Sequence, residues 1–392
     1  MSDPVVDLGD VGLDRGGHLL VKRALRRVPV GGVVEVRGRA PELAVHLRGF
    51  CRAQGHGFAP VPGGGRVTRG DAEPGRWRGA ERAGAVDAVV DQAPAHWGLA
   101  ARGATVEAGG PAFDFALTSR AEVWADEARR LYAQAAAAQW DPATAIPWDA
   151  TVDLPDDVED AVVQVMTYLV ENETAALIVP AKFAARIHPH FREVMQLLAI
   201  QAADEARHIE VFTRRALFAR FRFGLSTVGG QASLKTLVDE PDFALASFLL
   251  SVLGEGSFLS LLWFLRDHAP DPITEAVARL AAQDEARHVA FGLAHLSRHV
   301  AEDPSLRGRL AAAIQRRHDA LAHTAGLNQA VFDALVLLAA GRWEPEALAS
   351  AWDAVQELER AMDEGRRKRL ARLGFGGEEA AALSALHTRN FM

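Results

Sequence analysis

The sequence predicts an α+β chain that is mainly all-α: a four-helix bundle with extra C-terminal helices, preceded by a small two-layer α/β domain. Three observations carry this. After Ser119 apolar residues recur at helical spacing almost to the C-terminus; before residue 60 short β-like runs alternate with helix-like ones. The pentapeptide Asp-Glu-Ala-Arg-His also occurs twice, at 204–208 and 284–288, inside two of the long helical stretches. The domains are placed at 1–85, the α/β part with its linker, and 86–392, the bundle with flanking helices.

The elements follow in order. Leu19 to Val28 and Pro41 to Gln54 read as helices and Gly32 to Val36 as a strand. Val61 to Ala85 is rich in Gly and Arg and reads as a long turn or solvated linker; its arginines are interrupted by acidic residues, which speaks against a nucleic-acid track. Residues 86 to 118 suggest one strand at Val86 to Val90 and an irregular connection. Ser119 to Trp140 reads as one helix, ended by the turn DPATAIPWD. Four long helices are expected at Pro155 to Ile178, His190 to Phe218, Pro241 to His268 and Pro272 to His299. Asp271 caps the last of these, with Pro272 at its first position. Further helices fill Leu306 to Ala340 and Glu344 to Leu370. The clusters Gly63 to Gly65 and Gly229-Gly230 lack the Gly-Lys-Ser/Thr ending of a phosphate loop.

Composition narrows the function. The 392 residues are 49% hydrophobic and 24% charged, an ordinary globular balance. A net charge of −8 gives no general attraction to nucleic acid. The single cysteine, Cys51, excludes a disulfide framework or a Cys-ligated cluster within one chain and points to a cytoplasmic home. The N-terminal residues lack the basic and apolar regions of a signal peptide. Phe243 to Leu265 is long enough to span a bilayer, but Glu255 near its middle favours a buried bundle helix, so no membrane partner is expected.

Each pentapeptide places Glu and His at i, i+3 on one helical face, Glu205 with His208 and Glu285 with His288. Their neighbours on that face are mostly apolar, including Leu198, Ala202 and Phe212 on one helix and Ala278, Ala281 and Val289 on the other, so these polar groups point inward. Glu255 is the only ionisable residue between Phe243 and Leu265. In the first long helix Glu173 shares its face with Met166, Leu169 and Leu177, with Glu171 as the alternative. A buried carboxylate needs a compensating charge, and these helices supply more carboxylates instead. Four carboxylates and two neutral imidazoles balance two divalent cations. The metal ligands are therefore expected to be Glu173, Glu205, His208, Glu255, Glu285 and His288. A Glu from each of two helices with Glu-x-x-His from each of two others is the pattern of ferritin-like di-iron and di-manganese bundles. Asp204 and Asp284 are expected to orient the opposite histidines, His288 and His208, with Arg207 and Arg287 holding the aspartates. Gln201, Phe212 and Gly292 are candidates to line a substrate pocket.

Residues 119 to 300 thus resemble the ferritin-like diiron superfamily. The lead-in QWDPATAIPWD followed by Glu173 and the two DEARH motifs is most similar to its oxygenase branch, including the AurF-like N-oxygenases, which carry a further metal-binding His where this chain has Ala281. The resemblance implies an O2-dependent diiron oxygenase that hydroxylates, N-oxygenates or desaturates a small organic substrate, with two iron ions (Mn/Fe as the alternative). It also implies an electron donor such as a ferredoxin or reductase, and is compatible with a homodimer. The alternatives are iron storage, peroxide scavenging, or a radical-generating subunit. Storage bundles are shorter, and the radical family has Tyr where this chain has Phe212. The first 60 residues, through VGLDRGGHLLVKRAL, VGGVVEVRG and LRGFCRAQGHGF, resemble the TusA-like sulfur carriers. Their Cys-Pro-x-Pro is replaced by Asp14-Arg15-Gly16-Gly17, and Cys51, on an apolar helix face, is expected to be a packed thiol, so the carrier shape is expected without the sulfur chemistry.

Overall fold

The computed structural model describes residues 3–71, 77–322 and 329–387. The chain divides into two compact units, Met1–Asp87 with Ala100–Pro111, and Ala88–Leu99 with Ala112–Met392.

The first unit is a four-stranded sheet carrying two helices. Its strands are β1 (Val5–Asp7), β2 (Val33–Arg37), β3 (Gly57–Val61) and β4 (Gly64–Thr68), in the order β1-β2-β4-β3. β1 runs parallel to β2, and the other pairs are antiparallel. Helices α1 (Gly17–Leu25) and α2 (Leu43–Gln54) bury Val21, Leu25, Leu43 and Leu47 with Val34, Val36 and Val67 of the sheet. Cys51 belongs to this core at 1% exposure, and burial pushes its thiol up to about 11. A short pairing of β5 (Glu81–Arg82) with β6 (Thr105–Val106) completes the unit.

The stretch from Val61 read as a linker is a correction, because β4 lies inside it. Its glycines serve close packing: a Cβ on Gly64 would lie 1.9 Å from the Val36 carbonyl oxygen, and one on Gly65 would lie 2.4 Å from the Phe58 ring. Residues 72–76 of that stretch lie outside the described residues. The strand expected at Val86 to Val90 is also absent; beyond it, Gln92 bridges to Ser119 and Leu117 to Ile187.

The second unit is helical. The single helix expected from Ser119 to Trp140 is two, α3 (Arg120–Val123) and α4 (Ala128–Ala137). Trp124 between them is extended, and its indole donates to Asp126 at 2.8 Å. The bundle itself consists of α5 (Asp156–Ala184), α6 (Arg192–Ala216), α8 (Phe243–Asp267) and α9 (Pro272–Glu302). Helix α7 (Val228–Val238) joins the two halves and contains the Gly229-Gly230 pair. α5 packs along α6, α8 along α9, and α6 also meets α9. Short turns join each pair, which makes them antiparallel hairpins.

Sequence signals account for the ends. Asp156, Asp157 and Glu159 occupy the first turn of α5, where the helix dipole favours anions. Asp271 caps α9 by accepting from the Ile273 and Thr274 amides at 2.9 Å, with Pro272 behind it. α8 is not uniform: Phe248–Glu255 is π-helical, and α-helical winding resumes at Gly256. Its apolar length suits a bilayer, but 78% of its most apolar stretch is buried inside the fold. The C-terminal part adds α10 (Leu306–Leu321), α11 (Gln329–Ala340), α12 (Pro345–Arg372) and α13 (Gly377–His387). α10 packs on α7, α11 on α5 and α12 on α8.

Candidate metal centre

The six expected ligand residues come together in the middle of the bundle. α5 brings Glu173, α6 brings Glu205 and His208, α8 brings Glu255, and α9 brings Glu285 and His288, all 5% exposed or less. Glu171 faces a surface groove instead. The i, i+3 spacing on α6 and on α9 turns each Glu-His pair to the bundle axis.

His208 presents Nδ1 to Glu205 Oε2 at 3.1 Å, Glu285 Oε1 at 3.4 Å and Glu173 Oε2 at 3.7 Å. His288 presents Nδ1 to Glu205 Oε1 at 3.0 Å, Glu285 Oε2 at 3.4 Å and Glu255 Oε1 at 3.8 Å. Glu205 and Glu285 therefore each divide their two oxygens between the two histidines. Two four-donor groups result, one with Glu173 and His208, the other with Glu255 and His288, and they share Glu205 and Glu285; within each the donor atoms lie within 4.8 Å of one another. Donors bound at about 2.0–2.2 Å from one ion stand roughly 3 Å or more apart, so each group fits one cation.

The polar accounting agrees with cations. Glu173 Oε1, Glu255 Oε2, both oxygens of Glu285 and His288 Nδ1 are buried without a hydrogen-bond partner. Burial, then the charges of Glu205 and Glu285, push the Glu173 carboxyl well above its usual range; burial and Glu285 do the same to Glu255. Burial opposes charge on His208, but Asp284 and the surrounding glutamates raise it well above its ordinary value. His288 is raised in the same way by Glu205, Glu285 and Asp204. Burial likewise opposes ionisation of Glu205, but His288 and His208 hold it low. Protons thus balance the charge of the metal-free cluster, and two divalent cations would displace them.

Each histidine is fixed from behind. His208 Nε2 lies 3.3 Å from Asp284 Oδ2 and His288 Nε2 lies 3.2 Å from Asp204 Oδ2, each pair crossing between α6 and α9. Arg207 Nη2 donates to Asp204 Oδ1 at 2.6 Å and to Asp284 Oδ2 at 3.0 Å, and Arg287 donates to Asp284 Oδ1.

The segment after α4 supplies two partners that the sequence reading passed over. Gln139 Nε2 donates to Asp204 Oδ1 at 2.9 Å, and Trp140 Nε1 donates to Asp284 Oδ2 at 2.8 Å. The Trp140 ring also stacks beside His208, and Arg207 lies over it at 5.1 Å. The adjacent Gln-Trp before Asp-Pro was the available signal.

The pocket candidates lie apart from the lining of the cavity beside the cluster. A cavity of about 30 Å³ adjoins the cluster, lined by Glu173, Glu255 and Glu285 with Asn172, Ala176, Leu234, Leu237, Leu250, Gly254 and Phe258. Gln201, Phe212 and Gly292 are not among these residues. Gln201 instead donates to Glu255 Oε1 at 2.9 Å. Phe212 is fully buried beside the His208 ring. Gly292 serves helix packing, since a Cβ there would lie 2.4 Å from Ser251 Cβ on α8. The cavity opens on the side of α5, α7 and α8, a choice that helical periodicity alone does not reveal.

No protein-family model and no curated protein matches the chain. Solved structures share part of its architecture. An R2-like ligand-binding oxidase with an Fe/Fe cofactor is 17% identical, with 62% of this chain and 92% of that chain covered at a TM-score of 0.49. One with a Mn/Fe cofactor is 18% identical over 64% and 92%, at 0.43. A Synechococcus protein with aldehyde deformylating oxidase activity is 18% identical over 58% and 96%, at 0.40.

Proposed function

We propose that this chain is a non-heme diiron enzyme that uses O2 to oxidise a small organic substrate. The observation that carries the reading is the pair of buried four-donor groups joined by Glu205 and Glu285, with unpartnered carboxylate oxygens beside a small apolar cavity. Two bound iron ions, or manganese with iron, supply the electrons and the Lewis acidity for the reaction with O2. The protein holds them, excludes water and positions the substrate. Glu173 with His208 and Glu255 with His288 would each hold one ion, with Glu205 and Glu285 contributing to both groups; Asp204 and Asp284 fix the histidine rings with Nδ1 turned into the cluster.

Leu234, Leu237, Leu250 and Phe258 keep the cavity apolar, and its 30 Å³ suits a molecule the size of O2 or water. Leu234 also lines an outer groove of about 380 Å³ between α5 and α7, so the organic substrate is placed there, with access past Leu234. Electrons come from an external donor such as a ferredoxin or reductase, because one cysteine cannot ligate an iron–sulfur cluster. N-oxygenation of the AurF-like kind has less support, since Ala281 supplies no extra ligand. The first unit is read as a TusA-like fold without a carrier thiol.

Mixing anaerobic ferrous protein with O2 tests the proposal. Oxygen uptake in proportion to two-iron sites, followed by substrate-dependent decay of the optical signal, is expected. Accumulation of many ferric ions per chain with a mineral-like absorbance would identify a store instead.

A further inference from the structure

Helix α8 changes its winding immediately before its ligand. The π-helical turns end at Glu255, and the following residue is Gly256. A π turn bonds i to i+5, so it rotates the next side chain away from its α-helical direction and disturbs the regular carbonyl pairing. It persists only where neighbours favour it.

Two arginines of α12, one helical turn apart, contact this segment on either side of Glu255. Arg369 Nε donates to the Val252 carbonyl at 2.6 Å, within the π-helical stretch. Arg366 Nη1 donates to Ser257 Oγ at 3.2 Å, and Ser257 Oγ donates in turn to the Leu253 carbonyl at 2.8 Å. Glycines shape the socket on both helices. A Cβ on Gly256 would lie 2.4 Å from the Arg369 guanidinium carbon, and one on Gly365 would lie 3.0 Å from its Nη1.

The placement is costly for a cation. Arg366 is 2% exposed, and Arg369 Nη2 is buried without a hydrogen-bond partner. Burial pushes both guanidinium groups down to about 10. An apolar side chain would fill such a site at lower cost, so the carbonyl contact is what the arginine contributes.

We propose that Arg369, with Arg366 beside it, is a positioning residue that holds the π-helical winding of α8 and thereby aims Glu255 into the carboxylate–histidine cluster. The role of Glu255 as a metal ligand is taken from the proposed function. The clamp itself is a statement about the metal-free chain.

Amide hydrogen exchange of the metal-free protein reads the clamp, and cobalt(II) titration followed by its visible spectrum reads the ligand set. Arg369→Met should leave exchange in α9 unchanged, speed exchange across 248–256 by on the order of tenfold, and weaken one of two cobalt sites. Arg369→Lys, which keeps a donor, should restore both readouts in part. If Arg369→Met does not fold, Gly256→Ala displaces the guanidinium from the other side and should give the same local loosening. Unchanged exchange and two unchanged cobalt sites in a folded variant would overturn the proposal. Faster exchange in a chain whose wild type binds no cobalt would leave the clamp standing and sink the metal reading instead.

Discussion

Asp204 and His288 meet across two helices, with Oδ2 of the first 3.2 Å from Nε2 of the second, and Asp284 with His208 repeats the contact in the opposite direction at 3.3 Å. This exchange explains why the whole pentapeptide recurs rather than Glu-x-x-His alone. The aspartate of each copy orients the histidine of the other, and Arg207 bonds both aspartates. Asp204→Asn keeps the shape and removes the charge behind His288, so metal affinity should fall by about 10–100-fold. Competition with a coloured chelator measures this; unchanged affinity would reduce the aspartates to packing groups.

Stability should depend on pH differently with and without metal. Glu173, Glu255, His208 and His288 all titrate higher in the folded metal-free protein, so they contribute stability that is present at low pH and lost as pH rises through their folded values. Asp204, Asp284 and Glu205 are held low and act in the opposite direction, but only below about pH 4. Metal replaces the protons, so the Tm gap between loaded and metal-free protein should widen from about pH 5 to 8. A gap independent of pH would contradict this.

Away from the centre, fully buried Arg215 ties three helices together. It donates to both Glu159 oxygens at 2.7 and 2.9 Å, to Asp271 at 2.8 Å and to Thr274 at 2.9 Å. Arg215→Ala strands the buried Glu159 carboxylate and leaves Asp271 only its contacts at the start of α9, and should cost about 3–5 kcal/mol in urea unfolding. A loss under about 1 kcal/mol would mean that the network behaves like a surface ion pair.

Gly292 separates packing from substrate contact. Gly292→Ala should destabilise the fold by about 1–3 kcal/mol by pressing on Ser251. A fully stable variant with altered turnover would return Gly292 to the pocket.

Much of the site was legible because burial and charge conflict in the sequence itself: Glu255 stands alone in an apolar helix, and each Glu-His pair lies on an apolar face. Long periodic helices were legible for the same reason, and Asp271-Pro272 marked the start of α9. Glycine misled the reading at Gly64 and Gly65, which serve close approach in a strand rather than a linker. The π-helical turn left no trace, because it depends on Arg366 and Arg369 more than a hundred residues later in the chain. The side on which the cavity opens was hidden as well, since α7 with Leu234 and Leu237 decides it.

The central claim is that one chain binds two metal ions through these six residues. Elemental analysis of the purified chain after anaerobic loading with ferrous iron and removal of loose metal tests it most directly, alongside Glu255→Ala. Two ions per chain in the wild type and a reduced count in the variant are expected, because no other ionisable side chain between Phe243 and Leu265 can replace Glu255. A wild type holding no tightly bound metal, or a variant keeping two ions, would contradict the account.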